Sequence, residues 1–268
     1  MKVLIKGAGD LASGIAYELW LAGHGVLMTE IEVPLAVRRA VSFSRAVYEG
    51  SAKVEGAKGV LVRNISEGLL EIKKGNIPVI VDEKARIREE YKPDVLVDAI
   101  MAKRNTGTAL TDAPLVIGTG PGFSAGADCH FVIETMRGKD LGRVISLGGA
   151  KPDTGVPGEV GGYTAERLLR ASADGELTTM VQIGDIVEKG QVVARCGCVP
   201  VYAGMSGIVR GMLMPGVYVT KGLKIGDIDS REIKKSCYTI SDKARLVGRG
   251  VLEAIECGIG GCRMAACQ

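Results

Sequence analysis

The sequence predicts an α/β protein in which a mostly parallel sheet is followed by a small all-β unit and a C-terminal helix. Three observations predict it. Short apolar runs alternate with helical periodicity up to about residue 123, the rhythm of strands covered on both faces. A Gly/Pro-rich junction, GGAKPDTGVPGEVGGYT, follows near residue 150. Beyond it, two segments repeat at an offset of 32 residues and read as short strands joined by glycine turns.

In the first unit, Val3–Ile5 form an apolar run, and Leu11, Ile15, Leu19 and Ala22 then recur at helical spacing before Gly23 and Gly25. Val26–Met28 make the second strand, and Glu30 stands at its end. Gly7 and Gly9, with the small Ala12, match G-x-G-x-x-G/A, and a carboxylate at Glu30 suits a ribose hydroxyl. This makes the sheet Rossmann-like. Asp10 would repel a pyrophosphate at that helix start, and it equally suits a plain helix cap in a tight turn, so both readings stand. Arg38 and Arg39 follow Pro34 and suit a phosphate or another oxyanion, or a solvated helix face.

GVLVR (59–63), IPVIVD (77–82), DVLVDAI (94–100) and PLVIGTGPGF (114–123) continue the strand pattern, with polar helices near 66–74 and through Glu90. After the last run, Gly118, Gly120 and Gly122 offer amides for an anion nest. Cys129 and His130 then stand together as candidates for nucleophilic or chalcogen-carrying chemistry, against the alternative of a buried cysteine and a loop histidine.

Past the junction, AERLLRA (165–171) reads as helical. DGELTTMVQIGDIVEKGQVV (174–193) and SGIVRGMLMPGVYVTKGLKI (206–225) match at Gly175/Gly207, Gly184/Gly216, Val187/Val219 and Gly190/Gly222. The pattern resembles the biotinyl/lipoyl-carrier fold, a small barrel-sandwich of two related halves. Residues 195–209 hold no lysine, so covalent biotin or lipoate is not expected, and RCGCVP places Cys196 and Cys198 near a hairpin tip. Ser241 suits an N-cap, Ala244, Val247, Val251 and Ala254 share a helix face, and Gly258 suits the helix end. Cys257, Cys262 and Cys267 follow no zinc or iron–sulfur spacing and read as a frayed tail, so no metal site is expected. The expected division is 1–170 Rossmann-like, 171–230 biotinyl/lipoyl-like, and 231–268 a helix and tail packing back on the first unit.

Composition limits the function. Lys plus Arg number 34 against 31 Asp plus Glu, with both signs scattered, which excludes the basic footprint of a nucleic-acid partner. No stretch nears the roughly 18 apolar residues of a membrane helix, and Lys6 and Asp10 interrupt the start before any signal-length run, so a cytoplasmic protein without a membrane partner is expected. Seven cysteines without secretory signs read as reduced thiols.

VLIKGAGDLASGIA, GTGPGFSAGADCHFVIETMRGKDLGRVI, TGVPGEVGGYTAERLLRA, VTKGLKIGDIDSR and TISDKARLVGRGVLEAI together resemble the YqeB family of selenium-dependent molybdenum hydroxylase system proteins, from Lys2 to about Ile255. The chain is also similar to xanthine dehydrogenase accessory proteins. That resemblance implies an accessory role in maturing a molybdenum hydroxylase, whose subunit would be the partner. The ligand would be molybdenum cofactor or a nucleotide such as NAD(P), with Cys129 available for sulfur or selenium. Two alternatives remain at this stage, an NAD(P)-dependent oxidoreductase and a non-catalytic scaffold. The sequence leaves open a homo-oligomer and whether the chain catalyses anything.

Overall fold

A computed structural model describes residues 1–155, 158 and 161–260. The first unit runs β1 (Lys2–Lys6), α1 (Asp10–Leu21), β2 (Gly25–Glu30), α2 (Ala46–Glu49), β3 (Ser51–Val54), β4 (Ala57–Val62), α3 (Ile65–Lys73) and β5 (Ile77–Val81). It continues through α4 (Arg88–Tyr91), β6 (Val95–Asp98), β7 (Leu115–Thr119), β8 (Phe131–Ile133) and β9 (Val144–Ile145). These nine strands form one sheet in the order β3-β4-β5-β2-β1-β6-β7-β8-β9. β4 to β8 are parallel across it, and β3 and β9 are antiparallel edges.

Side chains alternate faces along each strand, so every central strand feeds two cores. Val3, Ile5, Val26, Met28, Val95 and Val97 face a core that includes Ile15 and Leu19 of α1. Leu4, Leu27, Leu96, Val116 and Val132 face the other, with Ile65 of α3. Burial on both faces explains why the strands read as unbroken apolar runs.

The chain then runs β10 (Leu168–Arg170), β11 (Gly175–Thr179), β12 (Ile186–Val187), β13 (Val192–Cys196) and β14 (Val199–Tyr202). β15 (Gly207–Met212), β16 (Tyr218–Val219), β17 (Lys224–Asp229), α5 (Lys234–Cys237) and α6 (Asp242–Gly260) complete it. Two four-stranded antiparallel sheets result, β10-β17-β15-β12 and β14-β13-β11-β16. Each repeat therefore lends one strand to the other repeat's sheet. Gly190 and Gly222, related by the offset, both adopt a φ of +86° that disfavours any side chain.

This architecture corrects the expected fold class. The large sheet is mixed rather than Rossmann-like, and helices are few. α4 has only four residues, a single short 3₁₀ turn at Leu110–Asp112 joins β6 to β7, and no helix joins β7 to β8. The charged and Gly/Thr-rich segments there carry no apolar stripe that could hold a covering helix on the sheet. The second unit is two antiparallel sheets rather than a biotinyl/lipoyl-like barrel-sandwich. Val37, Ala40 and Tyr48 from the first unit pack into its core. AERLLRA is not helical: Leu168–Arg170 pairs antiparallel with β17, and Leu169 is buried against Gly226.

α6 lies beside α1. Ala244 follows the cap, where Ser241 Oγ accepts its N–H at 3.2 Å, and Ala244, Val247, Val251 and Ala254 are fully buried. Gly258 does not end the helix, which continues to Gly260; a Cβ there would sit 2.9 Å from Leu115. Residues 156, 157, 159 and 160 of the junction, and Cys262 and Cys267 of the expected tail, lie outside the described residues. The α1–α6 crossing depends on small residues, since a Cβ on Gly14 would stand 2.5 Å from that of Ala244. Gly14→Val is expected to force the helices apart and lower the unfolding free energy by about 1–3 kcal/mol, read as a lower urea midpoint at unchanged slope.

Candidate functional site

A cleft of about 890 Å³ opens where β1, β2, β5 and β6 end, with Lys6, Gly7, Thr29, Glu30, Asp82 and Ala99 on its wall. The order of strands reverses here, because the chain leaves β1 toward β2 and returns on the other side as β6. Open parallel sheets leave a crevice at such a switch point.

The turn after β1 is tightly fixed. Gly7 has φ +93° and donates its N–H to Thr29 O at 2.9 Å, and a Cβ would meet Ala99 O at 3.2 Å. Ala8 N–H and Ile31 N–H donate to the two carboxylate oxygens of Glu30, each at 2.9 Å. Burial raises the Glu30 pKa, and those two amides pull it back. Ser13 Oγ donates to Ala8 O and accepts Phe43 N–H at 2.8 Å. Gly9 is the N-cap of α1, no side chain caps that helix, and a Cβ on Gly9 would meet nothing within 4 Å. The first-turn amides of α1 thus open toward the cleft.

The expected site residues divide. Gly7, Gly9, Asp10 and Glu30 come together on the cleft wall. Arg38 and Arg39 do not join them as an oxyanion fork. Arg38 Nη1 donates to both Asp10 oxygens at 3.1 Å, and Nη2 donates to Ser236 O and Thr239 O at 2.9 Å. Arg39 Nε donates to Met212 O at 3.0 Å. Gly118, Gly120 and Gly122 are packing residues outside the cleft lining. A Cβ on Gly118 would lie 2.5 Å from Phe123, and one on Gly122 2.5 Å from Arg104 Cα, while Gly120 N–H is taken by Ile133 O.

Cys129 is fully buried in the core of Leu96, Val116 and Val132 and does not itself line the cleft. Burial pushes its thiol up to about 11, against a weaker opposing hydrogen bond from Gly118 N–H. It is therefore a neutral thiol at neutral pH, not a thiolate. His130 Nδ1 accepts Val116 N–H at 3.0 Å, and its own N–H donates to Val116 O, which fixes it on β7. Of the hairpin pair, Cys196 is buried and Cys198 exposed.

Sequence reading missed a buried polar cluster that runs inward from Lys6 of the cleft wall. Lys6 Nζ lies 2.9 Å from Asp98 and 2.5 Å from Thr108 Oγ1, which itself donates to Asp98 at 2.6 Å. All three are buried. The signal was present: a charged residue ends each of two otherwise apolar strands, KVLIK and VLVD, that pair in register. Lys243 of α6 also lines the cleft, and burial lowers its pKa. Among the described residues, no cluster of three or more His, Cys, Asp or Glu is placed to hold a metal ion, and no helix is long and apolar enough to cross a membrane.

No family model matches the chain. Over 253 residues it is 47% identical to the uncharacterized protein YqeB of Escherichia coli (strain K12), a match covering 94% of this chain and 47% of that protein. That match supports the YqeB family. The chain spans about half the length of this relative. Among solved structures, it aligns at 15% identity and a TM-score of 0.27 with a succinylglutamatedesuccinylase/aspartoacylase from Rhodobacter sphaeroides, covering 85% of this chain and 84% of that one. A succinylglutamate desuccinylase from Silicibacter sp. TM1040 aligns at 14% identity and a TM-score of 0.25, covering 84% of each chain. At such scores the architecture rests on the sheets themselves.

Removing the Asp98 carboxylate leaves Lys6 buried without a counter-charge. Asp98→Ala is expected to cost about 3–5 kcal/mol in urea unfolding. In the native protein at about pH 8, iodoacetamide is expected to label Cys198 and spare Cys129, as peptide mass spectrometry would read; the unfolded chain should label at both. Because the folded thiol titrates above its ordinary value of 9.0, its stabilising contribution is complete below pH 9.0 and is lost as pH rises to about 11. Wild type should therefore lose more stability over that window than Cys129→Ala.

Proposed function

We propose that the cleft binds a nucleotide or the phosphorylated pterin of molybdenum cofactor. On this reading the chain is an accessory factor that holds such a ligand during maturation of a selenium-dependent molybdenum hydroxylase, its partner. One observation carries the binding: the uncapped start of α1, with Gly9 leaving open space in front of it, at the strand ends of a cleft large enough for a small molecule. Helix amides with no side-chain acceptor suit a phosphate, and roughly 300–1,000 Å³ is the ordinary range of small-molecule sites. The hydroxylase and its cofactor come from the family resemblance.

No cysteine among the described residues lines the cleft. On this reading the cleft's part is to hold the cofactor, with no described cysteine placed beside it for sulfur or selenium.

Isothermal titration of the purified chain with ATP, NADP and isolated molybdenum cofactor tests the reading. At least one should bind, and Gly9→Val, which fills the open side without crowding protein atoms, should weaken it by about tenfold or more. No heat with any of the three, from a chain that unfolds cooperatively, would discard the reading.

A further inference from the structure

The seam between the large sheet and β15 contains a buried cation with no hydrogen-bonded partner among the described residues. Arg210 is 9% exposed, yet none of its guanidinium nitrogens makes a hydrogen bond among the described residues, and its Nε is fully enclosed. Its one ion-pair approach is Asp229, at 3.9 Å. Of its five donors the Nε–H is shut off from both water and an acceptor, which is costly, while the two amino groups are not enclosed and stay open to an acceptor.

The surrounding carboxylates are already claimed. Arg231 holds Asp229 through Nε at 2.9 Å and Nη2 at 2.6 Å. Arg167 is hydrogen-bonded to Asp227, and Arg38 takes both oxygens of Asp10. Lys224, whose side chain is 39% exposed, holds its Nζ 3.8 Å from Asp227 and makes no hydrogen bond among the described residues. Arg210 and Lys224 both feel Asp10 and Asp227, but burial dominates and lowers the pKa of each, with Arg38 adding repulsion at Arg210.

The backbone aims Arg210 deliberately. β15 pairs Val209 with Ile228 and then Gly211 with Asp227, so Arg210 is the extra residue of a β-bulge. Its counterpart at the 32-residue offset, Thr178, pairs regularly with Arg195. The two repeats thus share their strand pattern and differ at this residue, where a bulge turns the side chain out of the ladder.

We propose that Arg210 is the contact residue of a second anion site, which takes a phosphate group at this seam with Lys224 as its flanking cation. Neither Arg210 nor Lys224 lines the cleft, and the site does not require the cleft's ligand. The phosphate is either free or the end of a longer molecule, and both would supply the paired anionic oxygens that the guanidinium lacks here.

Thermal shift and isothermal titration with inorganic pyrophosphate and with ATP test this on the full chain. Pyrophosphate or ATP should bind wild type and bind Arg210→Gln at least tenfold more weakly. Loss of pyrophosphate binding in Arg210→Gln with retention in Gly9→Val identifies a free phosphate, whereas loss of ATP alone identifies the end of a longer ligand. Lys224→Gln, at the partly exposed start of β17, provides the second variant and should weaken the same ligand severalfold. Equal responses of wild type, Arg210→Gln and Lys224→Gln to both probes, whether all bind or none does, would overturn the site. ATP binding that Gly9→Val removes and Arg210→Gln leaves intact would overturn it too, while supporting the cleft.

Discussion

Arg38 joins three segments that the chain order keeps far apart. It is buried, with four hydrogen bonds to Asp10 at the start of α1 and to the carbonyls of Ser236 and Thr239 ahead of α6. On either side of it, Val37 O accepts Met212 N–H at 2.8 Å, and Arg39 Nε donates to Met212 O. Residues 37–39 therefore fix β15 and the approach to α6 against the first helix at one point. Charged hydrogen bonds in a buried setting are the strong ones, and each partner here would be left desolvated if the guanidinium were removed.

This junction also decides what the cleft can hold. An aspartate in the first turn suits the helix dipole but opposes an incoming anion. With both Asp10 oxygens engaged by Arg38, that opposition is reduced. Glu30 acts on the other side of the turn, taking Ala8 N–H out of use. What the strand ends offer a ligand is consequently the first-turn amides of α1 behind Gly9, and not the amides of the glycine turn itself. The turn glycines are needed for a different reason, since Gly7 must pass within van der Waals contact of Ala99, just past the end of β6.

Features set by local pattern were legible in the sequence. Burial on both faces writes β1, β2 and β4 to β7 as apolar runs, and the amphipathic period of α1 and the repeated glycine turns follow from neighbours a few residues away. Features set by distant partners were not. Leu168–Arg170 has a helical composition but is claimed by β17, and pairing overrode propensity. Arg38 and Arg39 looked like a free pair because their acceptors lie up to about 200 positions away. Gly118, Gly120 and Gly122 looked like a nest, yet they exist to let Phe123, Thr135 and Arg104 approach. Cys129 and His130, adjacent in sequence, part just before β8, one entering the core and the other bonding β7.

The internal repeat supplies a control for the second unit. What both halves need to fold should appear in both, and it does: Gly175 and Gly207 share a φ of +149°, and bulges recur at Val193 and Ile225. The bulge at Arg210 has no counterpart, so folding of the repeat does not require it. Docking explains part of it, because Gly211 must come so close to Val37 that a Cβ would stand 2.8 Å from its side chain. Docking constrains the backbone at 211 but not the side chain at 210. A threonine serves at the equivalent position, and a small neutral residue at 210 would avoid the desolvation that an arginine suffers there. A long cation kept in that position, its nearest carboxylate 3.9 Å away and hydrogen-bonded to Arg231 instead, is a cost that packing does not account for.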